Sequence, residues 1–143
     1  MILADASVWI DYRRGTSSPE AEWLDQQFGQ QLLGLTDLTL CEVLQGCPDH
    51  QVEKVAARLG GLAILSTGGV ELAMAAAENY RKLRRRGFTI RKTIDCWIAS
   101  FCLIEGHTLL HSDRDFDPFE QFLGLRVIHP GPRGALPAAP DEG

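Results

Sequence analysis

Short apolar runs alternate along the chain with longer stretches in which apolar residues return every three or four positions. Ile2–Ala4 is apolar throughout and predicts a buried strand. Ser17-Ser18-Pro19-Glu20 has the features of a helix start, with a serine cap, proline in the first turn and an acid after it, and that helix runs to about Phe28. Leu32–Leu35 predicts a second strand, followed by a helix around Leu38–Leu44 that Gly46 ends. Gln51–Leu59 predicts a further helix, stopped by Gly60-Gly61, and Leu62–Leu65 a third strand. Val70, Ala73, Ala77 and Tyr80 recur at helical spacing and predict the inner face of a long helix closed by Gly87. Thr93 can cap the next helix, with Ile94, Trp97, Ile98 and Phe101 as its apolar face. Thr108–Leu110 predicts a fourth strand, Pro118–Phe122 a short helix and Arg126–Ile128 a last strand. Short apolar strands alternating with helices predict an α/β sandwich on a mostly parallel sheet. In such sheets ligands bind outside the carboxyl ends of the strands.

Composition refines this in two ways. The 143 residues, 45% of them apolar, suit a single globular domain. That domain is expected in residues 1–129, because 130–143 holds four of the seven prolines and reads as a Pro/Gly-rich C-terminal tail. Met1-Ile2-Leu3-Ala4-Asp5 lacks the features of a signal peptide, and no run approaches a membrane span. Cys41, Cys47, Cys96 and Cys102 form no C-x-x-C pair and fall in apolar patterns, so buried free thiols and a cytoplasmic location are expected.

The carboxyl-end rule selects particular acids. Asp5 ends the first strand and Asp113 follows the fourth, so both emerge on one edge of the sheet. Asp95 falls in the first turn of its helix, where the dipole favours a carboxylate. Glu42 sits in an otherwise apolar helix between Cys41 and Val43. Each has an ordinary explanation as a cap, a turn residue or a solvated side chain. Together, in this topology, they would cluster, and clustered carboxylates repel until a proton or a cation offsets them. Oxygen ligands without His or Cys suit Mg²⁺ or Mn²⁺. Two such ions roughly 3.5–4 Å apart can activate a water and stabilise the leaving oxygen of a phosphodiester. Ser7, two residues after Asp5, can hydrogen-bond a carboxylate or begin the Val8-Trp9-Ile10 helix.

The formal net charge of −5 argues against a generic nucleic-acid binder. Its distribution does not. Arg81, Lys82, Arg84, Arg85, Arg86, Arg91 and Lys92 are seven of the 14 cations, all within twelve residues that lead into Asp95. A solvated helix face is one reading of this run. An RNA-backbone track beside a metal pocket is the other. With the tail and the four acids set aside, the body is electrically balanced.

Four segments, in order, resemble PIN-domain ribonucleases, specifically the VapC toxins of bacterial toxin–antitoxin pairs. They are Asp5-Ala6-Ser7-Val8-Trp9-Ile10-Asp11, the Glu42 segment from Leu38 to Gly46, Thr93-Ile94-Asp95-Cys96-Trp97-Ile98-Ala99, and Ser112-Asp113-Arg114-Asp115-Phe116. Gly124-Leu125-Arg126-Val127 resembles the closing strand. The resemblance implies a three-layer α/β/α sandwich on a short, mostly parallel sheet of four to five strands. It implies Mg²⁺- or Mn²⁺-dependent endonucleolytic cleavage of cellular RNA, transfer or ribosomal, that inhibits translation and growth, with one or two ions per site. It also implies a homodimer, inhibited by a VapB-type antitoxin in a heterotetramer or larger assembly. The metal-binding acids carry over onto Asp5, Glu42, Asp95 and Asp113, with Asp115 as a further contributor through a water or a hydrogen bond. One departure is His111, where many members carry Thr or Ser two residues before the fourth acid; Ser112 or Ser7 can substitute, and His111 is either an RNA contact or a packing residue. Trp9, Tyr12, Trp23, Leu24 and Phe28 exceed what two short early helices need, and in the family this region helps form the antitoxin groove.

Three other readings take the same acids differently. A haloacid-dehalogenase-type phosphatase also places an Asp after its first strand, but wants an acid where Ser7 stands. A PIN-like RNA-processing nuclease that is not a toxin keeps the same acids. A non-catalytic PIN-like binding module would lack them.

Overall fold

The computed structural model describes residues 1–131. All but the first two residues of the proline-rich tail therefore lie outside the described residues. Five strands, β1 (Ile2–Ala4), β2 (Leu33–Thr36), β3 (Ala63–Leu65), β4 (Thr108–Leu110) and β5 (Arg126–Val127), form one sheet in the order β3-β2-β1-β4-β5. Every pairing is parallel. The helices are α1 (Ala6–Arg14), α2 (Pro19–Gln27), α3 (Asp37–Gln45), α4 (Val52–Leu59), α5 (Val70–Arg85), α6 (Thr93–Glu105) and α7 (Asp117–Leu123).

Side chains alternate across a strand, so each strand supplies two cores. Leu3 and Leu109, paired in register, point into a cluster with Leu83, Ile98, Phe116 and Phe119 from the α5–α7 side. Ala4 and Leu110, the next pair, point the other way among Val8, Trp9, Leu24, Val43 and Leu59 from α1–α4. The result is a sheet between two helical layers, as the alternating pattern required. Gly34, in β2, has a packing reason. A Cβ there would stand 2.7 Å from the Ala63 carbonyl oxygen and 2.8 Å from the Met1 sulfur.

The elements lie where the pattern puts them, within one or two residues, but three local expectations change. Val70, Ala73 and Ala77 are not the inner face of α5: Val70 is 76% exposed, and the buried residues are Leu72, Ala76 and Leu83, with Tyr80 partly buried. The alanines are spread around the helix, and only the two leucines mark the face that buries large apolar area. Thr93 is the first residue of α6 rather than its cap; Lys92 occupies the cap position, with no side-chain cap bond. Cys41 is exposed while Cys47, Cys96 and Cys102 are buried. The buried stripe of α3 is Thr39 and Val43, and Cys41, midway between them in sequence, falls on the opposite face. Burial raises the Cys96 thiol to about 11 and that of Cys102 to about 12, so both stay protonated and unreactive.

Replacing Gly34 by Ala should destabilise the protein by about 1–3 kcal/mol through overpacking against backbone in the middle of the sheet. Urea unfolding measures this directly. A neutral result would mean that β2 and β3 separate at no cost.

Candidate functional site

The strand order reverses at the centre of the sheet: from β1 the chain proceeds to β2 and β3 on one side and to β4 and β5 on the other. The crevice at the carboxyl ends of β1 and β4 is therefore the topological switch point. Asp5 leaves β1 there and Asp113 leaves β4, while the Asp5 N–H donates to the Leu110 carbonyl (2.9 Å) and ties the two exits together. Asp5 is the N-cap of α1, accepting from the Ser7 N–H (3.3 Å) and from the Ser7 hydroxyl (3.0 Å). The same hydroxyl accepts the Ser112 N–H (3.3 Å). Ser7 thus fixes the Asp5 carboxylate and bridges the two loops, while Ser112 takes part through its backbone.

Glu42 and Asp95 approach from α3 and from the first turn of α6. Asp5 and Asp95 are buried, Glu42 and Asp113 half-buried. Oxygen atoms of Asp95, Asp113 and Asp115 lie within 4.8 Å of one another. Burial, together with the like charges of its neighbours, holds each of Asp5, Glu42 and Asp95 above the usual carboxylate range. For Asp5 burial dominates and the charge of Asp113 adds to it, against the opposing hydrogen bonds from Ser7 and Ala6. Asp95 is pushed up to about 7 by burial, then by Asp5 and Asp113. Lys92 is the cation that opposes this at both Glu42 and Asp95. All four acids expected from the sequence therefore face one another electrostatically. Asp115 joins them, held by two hydrogen bonds from the Arg91 guanidinium (3.2 and 3.3 Å).

A divalent cation fits this donor set. Asp95 Oδ2 and Glu42 Oε1 are buried without a hydrogen-bond partner, and every donor in the cluster is a carboxylate oxygen. Buried carboxylate oxygens left unpaired are costly unless a cation or proton meets them. Hard oxygen donors select Mg²⁺ or Mn²⁺ over softer metals.

Other residues land differently. His111 is 3% exposed, stacks on Phe116 (centroids 4.9 Å apart) and accepts the Asp113 N–H at Nδ1 (3.2 Å). It packs beneath the Asp113 loop and holds that loop's amide. The basic run divides. Arg91 and Lys92 border the acids, whereas Arg81 to Arg86 lie on the exposed end of α5 and the turn after it. There Arg85 pairs with Glu78 (3.1 Å), and Arg84 and Arg86 lie over the rings of Tyr80 and Phe122. The early aromatic cluster also divides. Leu24 and Trp9 are core and Trp23 packs partly buried against them, while Trp9, Tyr12 and Phe28 meet edge-on or tilted and line a cleft of about 390 Å³ with Arg13, Val43, Val55 and Arg58.

Two polar arrangements escape the sequence reading. Asp37 accepts from the Thr67 N–H and hydroxyl (2.8 Å for the latter), and Thr67 in turn accepts the Trp97 indole N–H (3.1 Å). This locks the loop after β3 between α3 and α6, the two helices that carry Glu42 and Asp95. Buried Asp117 pairs with Arg114 (3.3 Å). Asp37 and Asp117 each directly precede a helix expected from the sequence, and nothing local marks their partners.

The PIN domain family profile matches residues 2–120. A VapC ribonuclease from Mycobacterium bovis and Ribonuclease VapC11 from Mycobacterium tuberculosis are each 32% identical over 130 residues, which cover 89% of this chain and 97% of theirs. The chain belongs to the PIN-domain family of VapC ribonucleases. Solved VapBC structures share the PIN fold. The DNA-bound VapBC of Salmonella typhimurium superposes with a TM-score of 0.68 at 17% identity, covering 89% of this chain and 96% of that one. VapBC2 from Rickettsia felis, bound to a promoter DNA fragment, gives 0.70 at 18%, covering 90% and 98%. The PIN fold sets the acids at the switch point, and no helix among the described residues is long and apolar enough to cross a membrane.

The raised acids have a stability consequence. Between the ordinary Asp value and about 7, the folded protein holds a proton on Asp95 that the unfolded chain has released, so stability falls as pH rises through that window. Urea midpoints measured in chelator from pH 4 to 8 should show this decline, and Asp95→Asn should reduce it. A variant profile that parallels the parent's would show that Asp95 is charged throughout.

Proposed function

We propose that this PIN-domain protein is the ribonuclease toxin of a toxin–antitoxin pair, acting in the cytoplasm as a Mg²⁺- or Mn²⁺-dependent endonuclease on transfer or ribosomal RNA. The observation that carries the metal-dependent reading is the pair of unpartnered buried oxygens, Asp95 Oδ2 and Glu42 Oε1, facing Asp5 and Asp113 at the switch point. Asp5, Glu42, Asp95 and Asp113 are the residues that would hold one or two ions. A bound divalent ion supplies activation of a water and charge for the leaving oxygen of the phosphodiester. The chain supplies the rest. Ser7 orients Asp5 with two hydrogen bonds, and His111 and Phe116 support the loop of Asp113. Arg91 holds Asp115 at the edge of the cluster, so Asp115 acts from the rim. Lys92 stands where it can offset carboxylate charge or meet the scissile phosphate. In-line attack would leave a 5′-phosphate and a 3′-hydroxyl. The run from Arg81 to Lys92 supports an RNA-backbone track that ends at the acids.

A VapB-type antitoxin is the partner that the family supports, within a homodimer-based heterotetramer or larger assembly. The cleft of Trp9, Tyr12 and Phe28, with Arg13 and Arg58 among its lining residues, suits an amphipathic antitoxin segment with an acidic edge.

Expressed without an antitoxin, the parent chain should arrest growth and leave 5′-phosphorylated RNA ends, and Asp5→Asn should lower cleavage by about 100-fold or more. A harmless parent, or an equally toxic variant, overturns the toxin reading. Mn²⁺ titrated calorimetrically into the parent should bind, and should bind Asp95→Asn more weakly. No heat with the parent would favour a non-catalytic module. Replacing Arg84, Arg85 and Arg86 by Ala should flatten the salt dependence of RNA binding, by about 0.7 in slope for each phosphate that is no longer neutralised. An unchanged slope would return these residues to a solvated face.

A further inference from the structure

A second cavity, of about 190 Å³, opens beside the acids between residues 88–90 and the start of α7. Phe88, Ile90 and Pro118 give it apolar walls, and Thr89, Arg114 and Asp115 give it a polar edge. Asp115 belongs to both places, since its carboxylate lies within 4.8 Å of Asp95 and Asp113 oxygens. Through Phe88 the cavity also adjoins the end of the basic run. Phe88 packs on Phe122 (centroids 5.4 Å), and the Arg86 guanidinium lies 4.9 Å above the Phe122 ring. The cavity therefore connects a cationic stretch to the acid cluster.

Its size and lining narrow the occupant. The volume falls below the roughly 300–1,000 Å³ of sites for drug-sized ligands and suits one flat ring system. Apolar walls with an aromatic face do not suit a bare phosphate, whereas a nucleobase presents a flat π-face and a hydrogen-bonding edge. RNA is read mainly through unpaired bases set on aromatic side chains and hydrogen-bonded along their edges. Arg114 offers such an edge contact. Its side chain is 64% exposed, yet its guanidinium is tethered to Asp117, whose side chain is 1% exposed. A buried carboxylate holding an exposed guanidinium limits the rotamers that Arg114 would otherwise sample.

We propose that this cavity takes one unpaired base of the RNA substrate, adjacent to the phosphate cut at the acid cluster. Phe88 packs on the base, Arg114 reads its edge, and Asp117 is a positioning residue for Arg114. This deepens the ribonuclease reading and rests on it.

The test uses the full chain with Mn²⁺ and a short single-stranded RNA that the parent cleaves, with each nucleotide near the cut replaced in turn by an abasic one. One abasic position beside the cut should slow the parent by about tenfold or more. Arg114→Ala should cleave the intact RNA more slowly than the parent and show a smaller abasic effect, the remainder being the Phe88 contact. Asp117→Asn should raise KM on intact RNA while kcat is retained. Arg114→Ala takes this partner from the buried Asp117 carboxylate, so Arg114→Lys, which keeps a cation beside Asp117 but loses the guanidinium fork, is the folded control: it should keep the parent's thermal transition and Mn²⁺ affinity and still show a reduced abasic effect. A flat abasic scan, or equal abasic effects in the parent and in Arg114→Ala, overturns the base pocket and leaves the ribonuclease reading standing. A parent that cleaves no RNA, like Asp5→Asn, overturns the ribonuclease reading first.

Discussion

Like charges crowded at the end of a buried sheet are the constraint around which this molecule is arranged. Parallel pairing of β1 and β4 brings Asp5 and Asp113 out at one edge of the sheet, and the Asp5 N–H to Leu110 bond ties the two strand exits together. Asp95 and Glu42 are then brought against them by helices packed on either side. A fold that gathers carboxylates in a poorly solvated crevice loses stability unless something positive enters it. The protein's own answer is partial. Lys92 and Arg91 stand at the margin, and Asp95 keeps its proton to near neutral pH.

The supporting structure serves this arrangement. Ser7 directs its hydroxyl to Asp5 and accepts the Ser112 amide, fixing two loops with one side chain. Asp37 and Thr67 pin the segment after β3, and the Trp97 indole extends that link to α6. His111, buried against Phe116, sets the start of the loop that carries Asp113 and Asp115. Together these contacts hold the loops and helix starts at one edge of the sheet. A site built this way is rigid where charge must be held, while the cations at the end of α5 stay exposed.

The apolar cleft near α1 and the smaller cavity near Phe88 are lined by different elements, α1, α3 and α4 for the first and the start of α7 for the second. The first is larger and lined by Trp9, Tyr12 and Phe28. The second has the dimensions of a single ring and shares Asp115 with the acid cluster. On the proposed reading, inhibitor and substrate are recognised on separate surfaces of one small domain.

The alternation of short apolar runs with helical repeats was enough to give the parallel α/β architecture, and the carboxyl-end rule then picked out Asp5 and Asp113 before any coordinates. Glu42 was legible as an acid in an otherwise apolar helix, and Asp95 as an acid in the first turn of its helix, once the topology gathered them with Asp5 and Asp113. What local sequence could not decide were the choices made by packing. The inner face of α5 follows Leu72 and Leu83 rather than the more numerous alanines, because large apolar area dominates burial. Cys41 is exposed and His111 buried because the partner elements, not the neighbours in sequence, determine which way each points. The pairings of Asp37 with Thr67, Asp117 with Arg114 and Asp115 with Arg91 join separate segments or fix an exposed cation to a buried acid. The sequence by itself determined which chemistry the chain could carry and the order in which its parts appear. Only the tertiary structure decided which charges face one another and which oxygens are left without partners, because those depend on distances between segments that no local pattern encodes.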